Sequence, residues 1–220
     1  MSSGPTLRRY TNVLALLDLL HHKRLTLLNP SKWYDQNDAL GLRQYSKLKG
    51  EGSVYAACFA EGYEQAHHWQ IFAGDSHGLA IVFDKEKLLA AFDSQLPLDD
   101  ICHGPVQYKT LKEVRDSKPI SIDDLPFLKR DTFKAEQEYR VVAWEENWLA
   151  GPTYSVPVQL DCINRVVLGP GMADSLARSL KEIAQAIEGC SNITFAKSRL
   201  VNNASWAESI SDGLRGAIVS

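Results

Sequence analysis

Two glutamates one residue apart, Glu136 and Glu138, stand between Lys134 and Arg140 in the run 133–142. Side chains on a β-strand alternate faces, so Lys134, Glu136, Glu138 and Arg140 are expected on one side. Phe133, Ala135, Tyr139 and Val141 take the other. Neighbouring carboxylates raise each other's pKa, while the two cations lower both. The expected outcome is a pair of ionised carboxylates facing a cation or an electron-poor carbon. A half-buried strand with a charged outer face has the same sequence, and taken alone the strand favours that plainer reading.

The chain that must position these acids has 220 residues and a formal net charge of -3. That length suits one large domain over 1–220, and the charge argues against a general nucleic-acid coat or a membrane-surface protein. Cys58, Cys102, Cys162 and Cys190 lie far apart without a Cys-x-x-Cys pair, so neither a zinc ribbon nor a disulfide framework is signalled. The apolar run 13–20 contains Asp18 and leads into His21-His22-Lys23-Arg24, which is not an export signal. No run reaches the roughly 18 apolar residues of a membrane span, and a cytoplasmic location is expected.

The periodicity predicts a loose tail over 1–6, then a short strand ending at Arg9-Tyr10-Thr11 and a helix capped by Asn12. Asn29-Pro30-Ser31 turns the chain into a polar and aromatic knot, Trp33-Tyr34-Asp35-Gln36-Asn37-Asp38, with Asp38 as the expected helix cap. A buried strand is expected over 53–60, a helix over 63–73, a strand over 79–83 and a helix over 85–92. The segment 97–104 reads as loop. Gly169-Pro170-Gly171 lacks the lysine of a phosphate-binding loop and leads to a helix over 173–188, followed by a strand near 193–196. The tail from Trp206 reads as a further strand.

Arg9-Tyr10, Asn29-Pro30-Ser31, Trp33, Asp35, Asn37, Asp38, Cys58-Phe59 and 69–72 form an ordered series of short motifs. It continues with 78–84, Val106, Tyr108, Lys129, 136–140 and 166–169. In order and number these resemble the bacterial and phage family catalogued as domain of unknown function 2971, from Arg8 to Gly169. A fainter similarity links Arg9, the strand 53–59 and Glu136-x-Glu138 to ADP-ribosyltransferases of the arginine-serine-glutamate kind. Ala56-Ala57-Cys58 stands where that group carries serine and threonine. The similarity implies an α+β (mixed α/β) fold with a split or mixed sheet of about six to nine strands and surrounding helices. It also implies NAD as substrate and an unidentified protein or nucleic-acid acceptor, in toxin or phage-defence biology. Under it Glu138 is the catalytic carboxylate and Glu136 handles the acceptor. Arg9 and Tyr10 hold pyrophosphate, Asp35 and Asp38 meet ribose hydroxyls, and Trp33, Tyr55 or Trp69 stacks on a ring of the dinucleotide.

Two rival readings use the same residues. Asp35, Asp38, Glu136 and Glu138 could gather round a magnesium ion in a nuclease or phosphodiesterase, with Lys129 or Lys134 on phosphate. In a non-enzymatic binding module, Glu136 and Glu138 would be salt-bridged to Lys134, Arg140 or Arg9.

Overall fold

A computed structural model describes residues 4–33, 35–74, 77–94, 100–117, 119–146 and 151–218. The chain begins in the sheet: Thr6–Asn12 (β1) pairs antiparallel with Gly78–Asp84 (β4) from Thr6 onward. The Pro5 carbonyl also accepts from Lys85 N, so the expected loose tail shrinks to its first residues, of which 1–3 lie outside the described chain. The Asn12 side chain accepts from Ala15 N at 3.0 Å and opens helix Val13–His22 (α1), whose buried Leu16, Leu19 and Leu20 face the sheet.

Arg24–Leu28 (β2) follows, then helix Gln36–Lys49 (α2) and Ser53–Ala60 (β3). The cap of α2 is Asp35, which accepts from Asn37 N at 2.9 Å, and not Asp38, which is buried in the first turn. Between β3 and β4, Ala66–His68 (α3) runs into a π-helical turn, Trp69–Ala73, in place of a regular helix over 63–73. Lys85–Asp93 (α4) is capped by Asp84. Asp100–Pro105 (β5) is a strand and not a loop, because its backbone finds a partner in Glu138–Glu145 (β8). The expected loop residues 97–99 lie outside the described chain.

Gln107–Lys109 (β6) and Leu128–Arg130 (β7) make a small parallel ribbon, with Leu111–Asp116 (α5) between them. Thr153–Pro157 (β9), Ile163–Leu168 (β10), Asp174–Ala186 (α6), Phe195–Lys197 (β11) and Ala204–Ile218 (α7) complete the chain. The tail from Trp206 is helix and not strand.

Among the described residues nine strands form one mixed sheet that forks at β3. One edge of β3 pairs with β8 along its whole length, from Ser53↔Glu145 to Ala60↔Glu138. The other edge is shared: Ala60 meets Arg8 of β1, while Ala56 meets Leu28 of β2. The strands β1 and β2 therefore diverge beside Cys58. Beyond β1 the sheet continues through β4, β10 and β11, and beyond β2 through β9. This is the split, mixed sheet with surrounding helices expected from the sequence.

The two faces differ in kind. One carries the large core, with Leu7, Tyr55, Phe59, Ile81, Phe83 and Val141 packed under α1, α4 and α6. The other has a floor of small residues, Ala56, Cys58, Ala60 and Ala80, flanked by Tyr10 with Trp69 and by Leu42 with Tyr45.

The approach to β3 tolerates no added atom at Gly52. A Cβ there would lie 2.0 Å from the Glu145 carbonyl oxygen and 2.8 Å from the Trp144 indole. Gly52→Ala is expected to cost about 2 kcal/mol or more, since the obstacle is paired backbone. A lowered urea midpoint with an unchanged slope would show it. An unshifted midpoint would contradict this close approach.

Candidate functional site

The β3–β8 register decides what shares a face. Directly paired residues project to the same side, so Arg8, Ala60 and Glu138 form one row and Cys58, Arg140 and Gly104 the next. Glu138 and Arg140 thus rise from the small-residue floor, as the period-two reading expected. Glu136 reaches the same place by another route. It ends a 3-10 turn, Asp131–Glu136, and Gln137 adopts the left-handed conformation (φ 46°) before β8 begins. Glu136 and Glu138 are therefore not successive side chains of one strand. The turn folds Glu136 back over Glu138, with Lys129 of β7 between them.

Three acids and two cations meet there. The Lys129 ammonium lies 2.5 Å from Glu136, 3.0 Å from Glu138 and 3.4 Å from Asp38. Arg140 donates through Nε to Glu138 Oε1 at 2.7 Å and through both terminal nitrogens to Asp38 at 2.9 and 2.8 Å. It also donates to the Pro126 carbonyl at 2.8 Å and lies under the Trp33 ring, 5.3 Å from its centre. Glu138 N donates to the Tyr108 hydroxyl at 2.8 Å. Arg140 is 0% exposed, Glu138 5% and Asp38 5%.

Burial alone would raise the Glu138 pKa, but Arg140 and Lys129 outweigh it and hold the carboxyl down to about 2. At Glu136 burial wins over Lys129, and the pKa is raised. Lys129 shifts upward: its burial is outweighed by Glu138 and Asp38. The Cys58 thiol is pushed well up by burial and by Glu138. The site therefore offers one acid held toward its ionised form, one acid with raised proton affinity, and a half-buried thiol held toward its protonated form.

The other expected site residues divide by face. Tyr10 and Trp69 lie on the face of Glu138, edge to face at 5.1 Å, with His68 5.0 Å from Tyr10. Trp69 Nε1 donates to Glu64 Oε1 at 2.6 Å. Asp35 stands near the opposite rim, its Oδ2 buried and unpartnered while Oδ1 caps α2.

Arg9 and Tyr55 point the other way. Arg9 pairs with Ile81 on the large-core side and donates to the Thr26 carbonyl at 2.8 Å, so it cannot share a ligand with Tyr10 by alternation. Tyr55 is fully buried, and its hydroxyl donates to Glu145 at 3.0 Å. It is a core residue with no face for a dinucleotide ring. Arg8, one residue earlier, is the cation on the Glu138 side, about 10 Å across two strand spacings, and bonds the Gly62 carbonyl. Lys134 is exposed and outside the cluster. Arg8, His68 and the Trp33–Arg140 stack were not singled out from the sequence for these positions. Arg8 was within reach, because the Arg8-Arg9 pair offers one guanidinium to each face.

Residues 68–141 match the family model of a protein of unknown function, DUF2971. The matched stretch holds the motifs 69–72, 78–84, Tyr108, Lys129 and 136–140, where the sequence resemblance is thereby borne out. Asp38 of the cluster precedes it. No curated protein matches the chain. Two solved structures resemble it at 10% identity: Thermus sp. 2.9 DarT in complex with NAD+ and with carba-NAD+. Each superposition covers 90% of this chain and 97% of the other, with TM-scores of 0.46 and 0.45. A likeness this distant assigns no role to any residue.

Among the described residues no three His, Cys, Asp or Glu side chains are placed to hold a metal ion, and the centre of the acidic set is filled by the Lys129 ammonium. No helix of the described chain is long and apolar enough to cross a membrane. A cavity of about 290 Å³ lies at the Ser53 end of β3, lined by Asn29, Ser31, Arg43 and Lys47. Asp38, Glu136 and Glu138 are not among the residues that line it.

Two outcomes follow from the electrostatics. Arg140→Met leaves Asp38 and Glu138 to share Lys129 with Glu136 and is expected to cost roughly 3–5 kcal/mol in a urea titration at pH 7. His68, buried and beside His67, has its pKa lowered to about 4 from the usual 6.5. The unfolded chain then binds the extra proton between those values, so the His68 contribution is complete above pH 6.5 and lost as pH falls toward 4. Wild type should lose up to about 1.4 kcal/mol per pH unit more than His68→Gln across that window. Parallel stability curves for the two proteins would refute the assignment.

Proposed function

We propose that this chain cleaves the nicotinamide–ribose bond of NAD and passes the ADP-ribosyl group to an acceptor, with Glu138 as the catalytic carboxylate. The reading rests on one observation: a buried acid kept ionised, Glu138, on the small-residue face beside the fork of a split sheet.

The bond breaks with its electron pair leaving on the nicotinamide nitrogen, and the ribose becomes an oxocarbenium-like cation. A fixed carboxylate stabilises that cation more than the neutral ribose of the ground state. Glu138 Oε1 accepts from Arg140 and Oε2 from Lys129, the Cys58 thiol also bonds the carboxylate, and the remaining acceptor capacity is what a ribose hydroxyl would use. Glu136, whose burial raises its proton affinity, suits removal of the acceptor's proton. Arg8 is a cation on this face for the diphosphate, and Asp35, whose Oδ2 is buried, caps α2 beside the site. Tyr10 and Trp69, themselves buried, form the aromatic wall beside it. With water as acceptor the same steps make the protein an NAD glycohydrolase. A protein or nucleic-acid acceptor makes it a transferase.

The completeness of the ion pairing favours a second reading, in which the cluster only holds a binding module together. The nuclease reading has less support, since Lys129 stands where a metal would sit.

Nicotinamide release from NAD in the presence of a chelator tests the proposal. Wild type is expected to release it, and Glu138→Gln to do so on the order of 10²–10³-fold more slowly while still unfolding cooperatively. Equal rates in the two proteins would remove Glu138 from the chemistry. An inert wild type whose Glu138→Gln variant changes only in stability would favour the structural reading.

A further inference from the structure

Three successive backbone carbonyls at the Glu136 turn receive donors from one connection, residues 61–68, which follows β3. Glu61 N donates to the Gln137 carbonyl at 2.8 Å. His67 Nε2 bonds the Ala135 carbonyl and His68 Nε2 the Glu136 carbonyl, each at 3.1 Å. A carbonyl only accepts, so both imidazoles carry a proton on Nε2. The turn needs these outside donors. Its own last bond runs from Gln137 N to the Lys134 carbonyl at 3.3 Å, and the left-handed Gln137 ends it before the next carbonyls find a partner within it.

The two histidines are not equal. His67 is exposed, whereas His68 is fully buried, its ring packed against Tyr10 at 5.0 Å, His67 at 4.2 Å and Phe72 at 6.0 Å. With Nε2 committed to the Glu136 carbonyl, His68 Nδ1 is buried without a partner among the described residues. Burial and the neighbouring His67 keep the ring neutral at pH 7, so it is a donor of fixed tautomer. The connection is itself fastened at its start. Arg8 bonds the Gly62 carbonyl, and Lys85 of α4 donates to Glu61 Oε1 at 2.7 Å. The turn that carries Glu136 is thereby tied to β1 and α4 and not only to its own strand.

We propose that His68, supported by His67 and the Glu61 amide, is a positioning residue that holds Glu136 over Glu138, where under the NAD reading Glu136 removes the acceptor's proton. Without the His68 donor the Glu136 carbonyl is left buried and unpaired, and the turn opens to let water satisfy it. Glu136 then swings away from Lys129, Glu138 and Asp38, the charged groups that face it.

Carbon-13 NMR titration of the glutamate carboxyls, with the Glu136 signal assigned from Glu136→Gln, tests this role. In wild type the Glu136 midpoint is expected above the ordinary 4.5, because burial outweighs Lys129. In His68→Leu, which has no donor, it should fall toward 4.5. In His68→Gln, whose amide places an N–H near the Nε2 position, it should keep the wild-type value. Glu138, held by Arg140 and Lys129, should stay at about 2 in both. The kcat for nicotinamide release should drop on the order of 10²-fold in His68→Leu and recover in His68→Gln. A Glu136 midpoint unmoved in folded His68→Leu would overturn the proposal. If that variant does not fold, His67→Leu, at the exposed histidine, should move the midpoint the same way by less. Nitrogen-15 NMR of wild-type His68 should find its proton on Nε2 at pH 7, and a proton on Nδ1 would also overturn the proposal. A shifted midpoint in a protein inert toward NAD would sink the NAD reading and leave His68 as the group that places Glu136.

Discussion

The structure depends on keeping Arg140 charged inside the sheet. A guanidinium with no solvent exposure survives only if its donors are satisfied and its charge is met. Here Asp38 takes two donors, Glu138 takes Nε, Pro126 supplies a carbonyl and Trp33 covers the flat face. These groups come from α2, β8, the turn before β7 and the loop before α2. One buried cation thus fixes where four separate segments meet, and replacing any partner leaves an unpaired group that water cannot reach. Such a network gives little net stability over a hydrophobic core of the same size. Its effect is to penalise every other arrangement of the same segments.

Lys129 extends the network to a second acid-rich element. Placed among Asp38, Glu136 and Glu138, it lets three carboxylates approach within a few ångströms of one another. Three acids against two cations leave an excess negative charge, and the burden falls unequally. Glu138, touched by both cations, is driven down, whereas Glu136, touched by Lys129 alone, is driven up. Two glutamates that look equivalent in the sequence are thereby given opposite protonation tendencies. Divergence of that kind is what a division of acid and base roles requires.

The elements that bury one continuous side were legible in the sequence. The uninterrupted apolar run of β3, the β4–α4 unit with its Asp84 cap, and the Asn12-capped α1 all lie where composition and capping place them. Long-range choices were not legible. Gln137 turns left-handed because the chain must reverse between a 3-10 turn and β8, and glutamine carries no signal for it. Strand parity decided Arg8 against Arg9 and removed Tyr55 from the site. Parity follows from register with β3 and β4, which no local window contains. Asp38 was singled out as a cap, as a ribose contact and as a magnesium ligand, and not as the partner of Arg140. Its true partner is 102 positions away.

A carboxylate so fully paired can still take part in chemistry if one partner is able to move. Arg140 is not that partner, because it is anchored on three sides and capped by Trp33. Lys129 is. Its ammonium sits on a flexible stem above Phe133 and touches three acids at once. If a ribose hydroxyl took the Oε2 position of Glu138, Lys129 could lean toward Glu136 and Asp38 without becoming an unpaired buried charge. Glu138 would keep Arg140 and remain ionised. The surplus acid in the cluster thus makes exchange at Glu138 inexpensive, while the bidentate pair beneath it keeps the floor of the site rigid.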